Sequence, residues 1–303
     1  MGGGFWDSPE VQGGIVPFAV SLLLVVAIRL AGGRDAGSRW AVIAVPLAFL
    51  LAYALLESIA WPAVASKQKV FYIAVLALII GLVVALAGAS KTMVLAGAGV
   101  FALVSLIWLA IRTLGSGPSI GDLITLVVLL LVSVFLAWRL RAAENHGGGH
   151  DESDRRGRIH APAILLVLSF AAGLISLAGA FIGMAQLAIG LGAILGAFLL
   201  ISFVFYVRGQ EPLPFGALGT LAAGGALLAC LYVMVLFAGA VSRPALAILL
   251  LAIPADSVAR RLRFGTGTRA RIVEPVGYGA VIATPAVAAV IFAFATAESE
   301  SGY

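Results

Sequence analysis

Charge is scarce in this chain: Asp, Glu, Lys and Arg make up 11 % of its 303 residues, where a soluble domain carries about a quarter. With 62 % apolar residues and so little polar cover, the chain cannot keep its apolar surface from water as a soluble globule. Cysteine is almost missing. Cys230 stands alone in an apolar run, which excludes a disulfide framework and a cysteine metal site. No basic residue precedes Arg29, whereas a cleaved signal peptide opens on a positive region. The first run, preceded by Asp7 and Glu10, therefore predicts an uncleaved anchor with a translocated N-terminus. The sequence also has no HExxH, no GxSxG and no paired histidines on an apolar run, so catalysis is left without a visible motif.

What is present is long apolar runs. Mean hydropathy is +1.12, and about 20 apolar residues cross the hydrocarbon core as a helix. Runs at 13–30, 40–58, 70–89, 93–111, 122–138, 161–180, 186–207, 214–239, 241–257 and 275–297 predict an all-α integral membrane protein of about ten transmembrane helices. Residues 161–207 form 47 positions without a charge, too many for one crossing, so a tight turn is expected near 179–184. The run at 241–257 is short and holds Pro254, which predicts a break.

The charges orient this map. Arg29, Arg34, Arg39, Lys91, Arg139, Arg141, Arg155, Arg156, Arg158, Arg208, Arg260, Arg261, Arg263, Arg269 and Arg271 fall on one side. Lys67, Lys69, Arg112 and Arg243 fall on the other, 15 against 4. Basic loops stay cytoplasmic, so both termini are expected on the periplasmic side of a bacterial inner membrane. The net charge of +5 and the isoelectric point near 9.7 then describe loops facing anionic headgroups, not a nucleic-acid surface. Trp6, Trp40, Trp61, Trp108 and Trp138 lie at or near run ends, where indoles prefer the headgroup level.

The polar stretch 139–160 reads as a flexible cytoplasmic linker between a first half (1–138) and a second half (161–303) of five runs each. An odd number of crossings per half would give the halves opposite orientation, as in inverted-repeat carriers, although no sequence repeat relates them. No ionisable residue falls near the middle of a run: Glu57, Asp122, Asp256 and Glu274 sit at run ends. Ion-coupled carriers place such groups in the interior, which argues against proton coupling. Asp256 and Glu274 are expected to pair with the arginines at 260–271.

Small residues recur at helical spacing in the second half. Ser169, Gly173, Ser176 and Ala180 form one series, and Gln186, Gly190, Ala193 and Ala197 another, beside a Gly192–Gly196 pair. Gly216, Gly219, Ala223, Ala226 and Cys230 form a third. Such faces let helices approach closely, within one chain or between subunits of a homo- or hetero-oligomer. Alternatively they leave a polar groove, with Ser169, Ser176, Gln186 and Thr220 as its candidate lining. His146, His150, Asp151, Glu152, Asp154 and His160 suggest a metal, but three glycines part the first two histidines and the set fits no standard ligand pattern. The glycine pairs at Gly97/Gly99, Gly265/Gly267 and Gly277/Gly279 lack the strand–helix setting of a nucleotide site. No metal or cofactor is therefore expected.

The segments LLESIAWPAVASKQKVFYIAVLALIIGLV and SLAGAFIGMAQLAIGLGAILGAFLL resemble a family of bacterial multi-pass membrane proteins without a known function. Trp61–Pro62 and residues 176–186 carry the resemblance, with one proline where that family has two and fewer serines in the second segment. Two roles remain open. A transporter or permeation protein without proton coupling is favoured by span count, an argument by analogy. A non-catalytic structural or assembly subunit of a membrane complex is favoured by the missing interior charges and short loops.

Overall fold

The computed structural model describes Ser8 and residues 11–144, 152–261 and 268–301. Trp6, Asp7, Glu10, His146, His150, Asp151, Arg263, Gly265 and Gly267 lie outside the described residues. The described chain is 85 % helix, with no strand among the described residues. The helices are α1 (Val11–Ala31), α2 (Asp35–Leu56), α3 (Ser66–Leu86), α4 (Lys91–Gly115) and α5 (Ile120–Glu144). They continue as α6 (Glu152–Ala178), α7 (Ile182–Val207), α8 (Gly216–Phe237), α9 (Arg243–Leu249), α10 (Ala252–Ala259) and α11 (Thr268–Ser301). Among the described residues nine of these, all but α9 and α10, are long and apolar enough to cross a membrane.

The run at 241–257 departs from the expected single helix. It forms two short pieces, α9 and α10, that meet at Leu250 and Leu251. Pro254 is the cause: its ring crowds the carbonyl four residues back, that of Leu250, and it offers no N–H to bond there. The two pieces still run along α11. The start of α9 shares a cleft with Phe292 and Thr296, and α10 reaches Tyr278 through Asp256.

Both ends of the stretch read as a linker are helical, because α5 continues to Glu144 and α6 begins at Glu152. Charged residues here extend the apolar helices beyond the hydrocarbon rather than ending them. The expected tight turn occupies 179–181. There Phe181 N donates to the Ser176 carbonyl at 2.9 Å, and Ser176 Oγ donates to the Phe181 carbonyl at 3.0 Å. The starts of α4 and α5 carry side-chain caps. Ser90 Oγ accepts from Met93 N, and Asp122 and Ser119 bond each other reciprocally at the head of α5, satisfying donors that a helix start leaves open.

The core forms around α8. Of the α8 span 83 % is buried, against 17 % of α1 and 22 % of α5 and α11, so α8 is central and those three are peripheral. It packs chiefly along α3, where a Cβ on Gly225 would lie 2.4 Å from Ala77 Cβ. Helices α6 and α7 form the other close pair. A Cβ on Gly173 would lie 2.6 Å from Ile189 Cγ1 and 3.0 Å from the Ala185 carbonyl. Buried hydroxyls lock further contacts: Ser21 Oγ donates to the Ile194 carbonyl at 3.0 Å, and Ser133 Oγ bonds the Tyr232 hydroxyl. In a lipid setting such groups find partners inside the protein. The two halves interlock, with α1 and α2 on α7 and α3 on α8. Their neighbour patterns differ, since α6 lies along α11 whereas α1 does not lie along α5.

Candidate functional site at the arginine-rich end

Four residues were candidates for a polar groove, and they are carried by α6, α7 and α8. Ser176 closes the turn between α6 and α7. Gln186 lies in the first turns of α7 with its Cβ against Gly13 at the start of α1. Ser169 is buried in α6 and Thr220 is buried in the distorted first turns of α8. Neither hydroxyl has a hydrogen-bond partner among the described residues. None of the four lines a cavity described below. The small-residue faces are occupied within the chain. Gly173 and Gly192 serve the α6–α7 contact, Gly190 faces Gly13 and Pro17 of α1, and Ala223, Ala226 and Cys230 are buried in the core.

The polar chemistry gathers where α5, α6, α7, α10 and α11 end together. Asp256 of α10 is fully buried. Its Oδ2 accepts from Arg139 Nη2 of α5 at 3.0 Å and from Arg260 Nη2 one turn on. Its Oδ1 accepts from the Tyr278 hydroxyl of α11 at 2.6 Å. Arg139 also donates to Ser257 Oγ at 2.6 Å, and Arg260 donates to the Ala142 carbonyl at 3.3 Å. A carboxylate taken out of water needs this many donors, because its desolvation is offset only by close pairing and full hydrogen bonding. The expected Asp256–Arg260 pair is present. Arg139 and Tyr278 were missed, because partners 117 and 22 positions away leave no local spacing to read. The signal that could have found Arg139 is Asp256 itself, a carboxylate just inside an apolar run that requires a nearby cation.

Beside this network lies a small polar cavity of about 50 Å³, lined by His160, Tyr206, Arg260, Glu274 and Tyr278. The His160 ring stacks on Tyr278 with centroids 3.8 Å apart, and Glu274 is buried at the start of the α11 span. A polar space of this size suits ordered water rather than an organic substrate. The same end of the bundle carries further cross-links. Arg141 pairs with Glu144 at 2.9 Å and donates to the Ala89 carbonyl at 3.1 Å, and Glu144 accepts from Gly216 N at 2.6 Å.

Two larger clefts open at opposite ends. One, of about 530 Å³, is lined by Arg29, Arg39, Arg158 and the segment from Gln210 to Pro214. The other, of about 760 Å³, lies between the α6–α7 turn, the start of α9 and Phe292–Ala297 of α11, with Arg243 and Thr296 as polar walls. At that second end Lys67 pairs with Glu57 at 2.8 Å, and Lys69 donates to the Trp108 carbonyl at 3.2 Å. Tyr72 lies between Trp61 and Trp108, 5.4 and 6.1 Å away. Among the described residues no group of three or more His, Cys, Asp or Glu could hold a metal. No known protein family and no curated protein matches this chain. The chain is a polytopic, membrane-type helical protein.

Proposed function

We propose that this protein is a ten-crossing component of a bacterial cytoplasmic membrane and that its role is structural, holding or assembling a membrane complex, rather than catalytic. The observation that carries this reading is the enclosed core. Helix α8 is enclosed by α3, α4, α5, α6 and α7, and the hydroxyls of Ser169, Ser202 and Thr220 are buried in helix contacts away from every cavity described here. A carrier needs a polar site near mid-depth, and none of the described clefts reaches one. The peripheral helices α1, α5 and α11 are the faces left for lipid or a partner. Counting α9 and α10 together as one crossing rests on their course along α11. With ten crossings the arginine-rich end faces the cytoplasm by the positive-inside bias, and both termini lie outside.

One observation favours the permeation reading: the two large clefts sit at opposite ends and both border α6, through Arg158 and through Ile175. Cysteine labelling separates the two. Cys230 is fully buried, so the native chain provides a silent background. Single cysteines at Ser169, Ser202 and Thr220 are expected to resist a membrane-impermeant maleimide from either side. Labelling of Ser202→Cys and Thr220→Cys from both sides would place water in the core and support permeation. The same reagent tests the topology: Ser119→Cys should react in intact cells, and Gln210→Cys only after the cytoplasmic face is opened. Reaction of Gln210→Cys in intact cells would reverse the proposed orientation.

A further inference from the structure

The cleft at the arginine-rich end is built from three helices. Arg29 of α1, Arg39 of α2 and Arg158 of α6 line it together with the carboxylates of Asp35 and Glu211. Arg158 is committed to Glu211 at 3.3 Å. Arg29 donates to the Gly33 carbonyl, and Arg39 lies over the Trp40 ring, 5.9 Å from its centroid. Neither Arg29 nor Arg39 has a carboxylate partner among the described residues. The connection between α1 and α2 sets these two guanidinium groups on one cleft. Gly37 N donates to the Gly32 carbonyl at 3.0 Å, and a Cβ on Gly37 would lie 2.5 Å from the Arg29 carbonyl. Glycine is what allows so tight a return.

A second space adjoins the first. Arg39 and Pro214 also border a slot of about 190 Å³ whose other walls include Trp40, Val42, Ala85 and Phe215. A cleft with three arginines against two carboxylates, sharing the walls Arg39 and Pro214 with an apolar slot, has the polarity of a lipid. Guanidinium forks match phosphate oxygens with paired N–H donors, and basic pockets between helix ends are suited to anionic headgroups. A soluble anion would use the cleft and leave the slot empty. A zwitterionic lipid would bring its own cation toward the arginines. We propose that cleft and slot together bind one anionic phospholipid, its phosphate between Arg29 and Arg39 and one acyl chain along Val42 and Ala85. The binding site is independent of sidedness; only its assignment to the inner leaflet rests on the topology proposed above.

The test uses delipidated full-length protein in neutral detergent, with bound lipid counted by native mass spectrometry. The probes are short-chain phosphatidylglycerol, phosphatidylcholine with the same chains, and inorganic phosphate. One phosphatidylglycerol is expected to bind about tenfold or more tightly than either of the others, and Arg29→Gln with Arg39→Gln should remove that advantage. Ala85→Phe, which fills the slot and keeps the arginines, should weaken the lipid and leave phosphate unchanged. If the double variant does not fold, Arg39→Lys decides the same point, since it keeps the charge and loses the fork; it should weaken phosphatidylglycerol about threefold. Phosphate binding as tightly as the lipid would overturn the lipid assignment in favour of a soluble anion. Equal binding of the two lipids, or affinity unchanged in every variant, would overturn the site. Because the measurement involves neither sidedness nor a partner protein, its failure would leave the structural role standing, and the converse also holds.

Discussion

Replacing Asp256 by asparagine is expected to cost about 3–5 kcal/mol of stability, the penalty for leaving buried charges uncompensated. The carboxylate is fully buried, and its partners Arg139 and Arg260 keep only 12 % and 14 % of their side chains exposed. Asparagine preserves the shape and can still accept from Tyr278. It cannot neutralise two guanidinium groups that have left water. Denaturation in mixed micelles, with helicity followed through the transition, measures the loss. A second variant identifies its source: Arg139→Met, Asp256→Leu and Arg260→Met together remove the charges along with the pairing, and should recover most of the stability. If the single and triple variants lose the same amount, packing of α10 and not charge compensation is the cause.

The second large effect belongs to Gly225. A Cβ there would lie 2.4 Å from Ala77 Cβ and 3.3 Å from Phe101 Cζ, so even Gly225→Ala forces α8 and α3 apart. Overpacking of this kind costs about 1–3 kcal/mol, and Gly225→Val should exceed the alanine variant. The compensating change is on the facing helix. Ala77→Gly in the Gly225→Ala background moves the small residue across the contact and should restore most of the loss, a coupling that only touching residues show. Losses that simply add would mean that the two positions do not limit the approach of these helices.

Much of the architecture is legible in the sequence. The turn at 179–181 lies where an uncharged stretch too long for one helix had to fold back. The break at Leu250 and Leu251 follows from Pro254, although it falls four residues earlier than the proline because the ring acts on the preceding turn. Spacing alone does not decide a groove. Ser169 and Ser176 share a helical period on α6, and Gln186 and Thr220 are polar residues of α7 and α8, but period fixes only the face of one helix and says nothing of the helix it meets. Gly225, the tightest approach onto α3, falls outside the small-residue series read from the sequence. One residue's neighbour across a contact decides such a position, and spacing along its own helix does not contain it.

What the sequence by itself determined is the class of protein, the placing of its apolar helices and the gathering of basic residues at one end. Hydrocarbon leaves the backbone no partner except its own carbonyls, which forces helix, and charge is driven to the helix ends. What only the tertiary structure decided is which helix meets which. It put α8 at the centre, set Asp256 on Arg139 from the far side of the chain, and turned Arg29, Arg39 and Arg158 onto one cleft. The physical reason is that these helices are apolar on nearly every side and lipid is as apolar as a neighbouring helix, so hydropathy carries no direction. Packing is then settled by shape and by a few polar pairs, and both are properties of two surfaces at once.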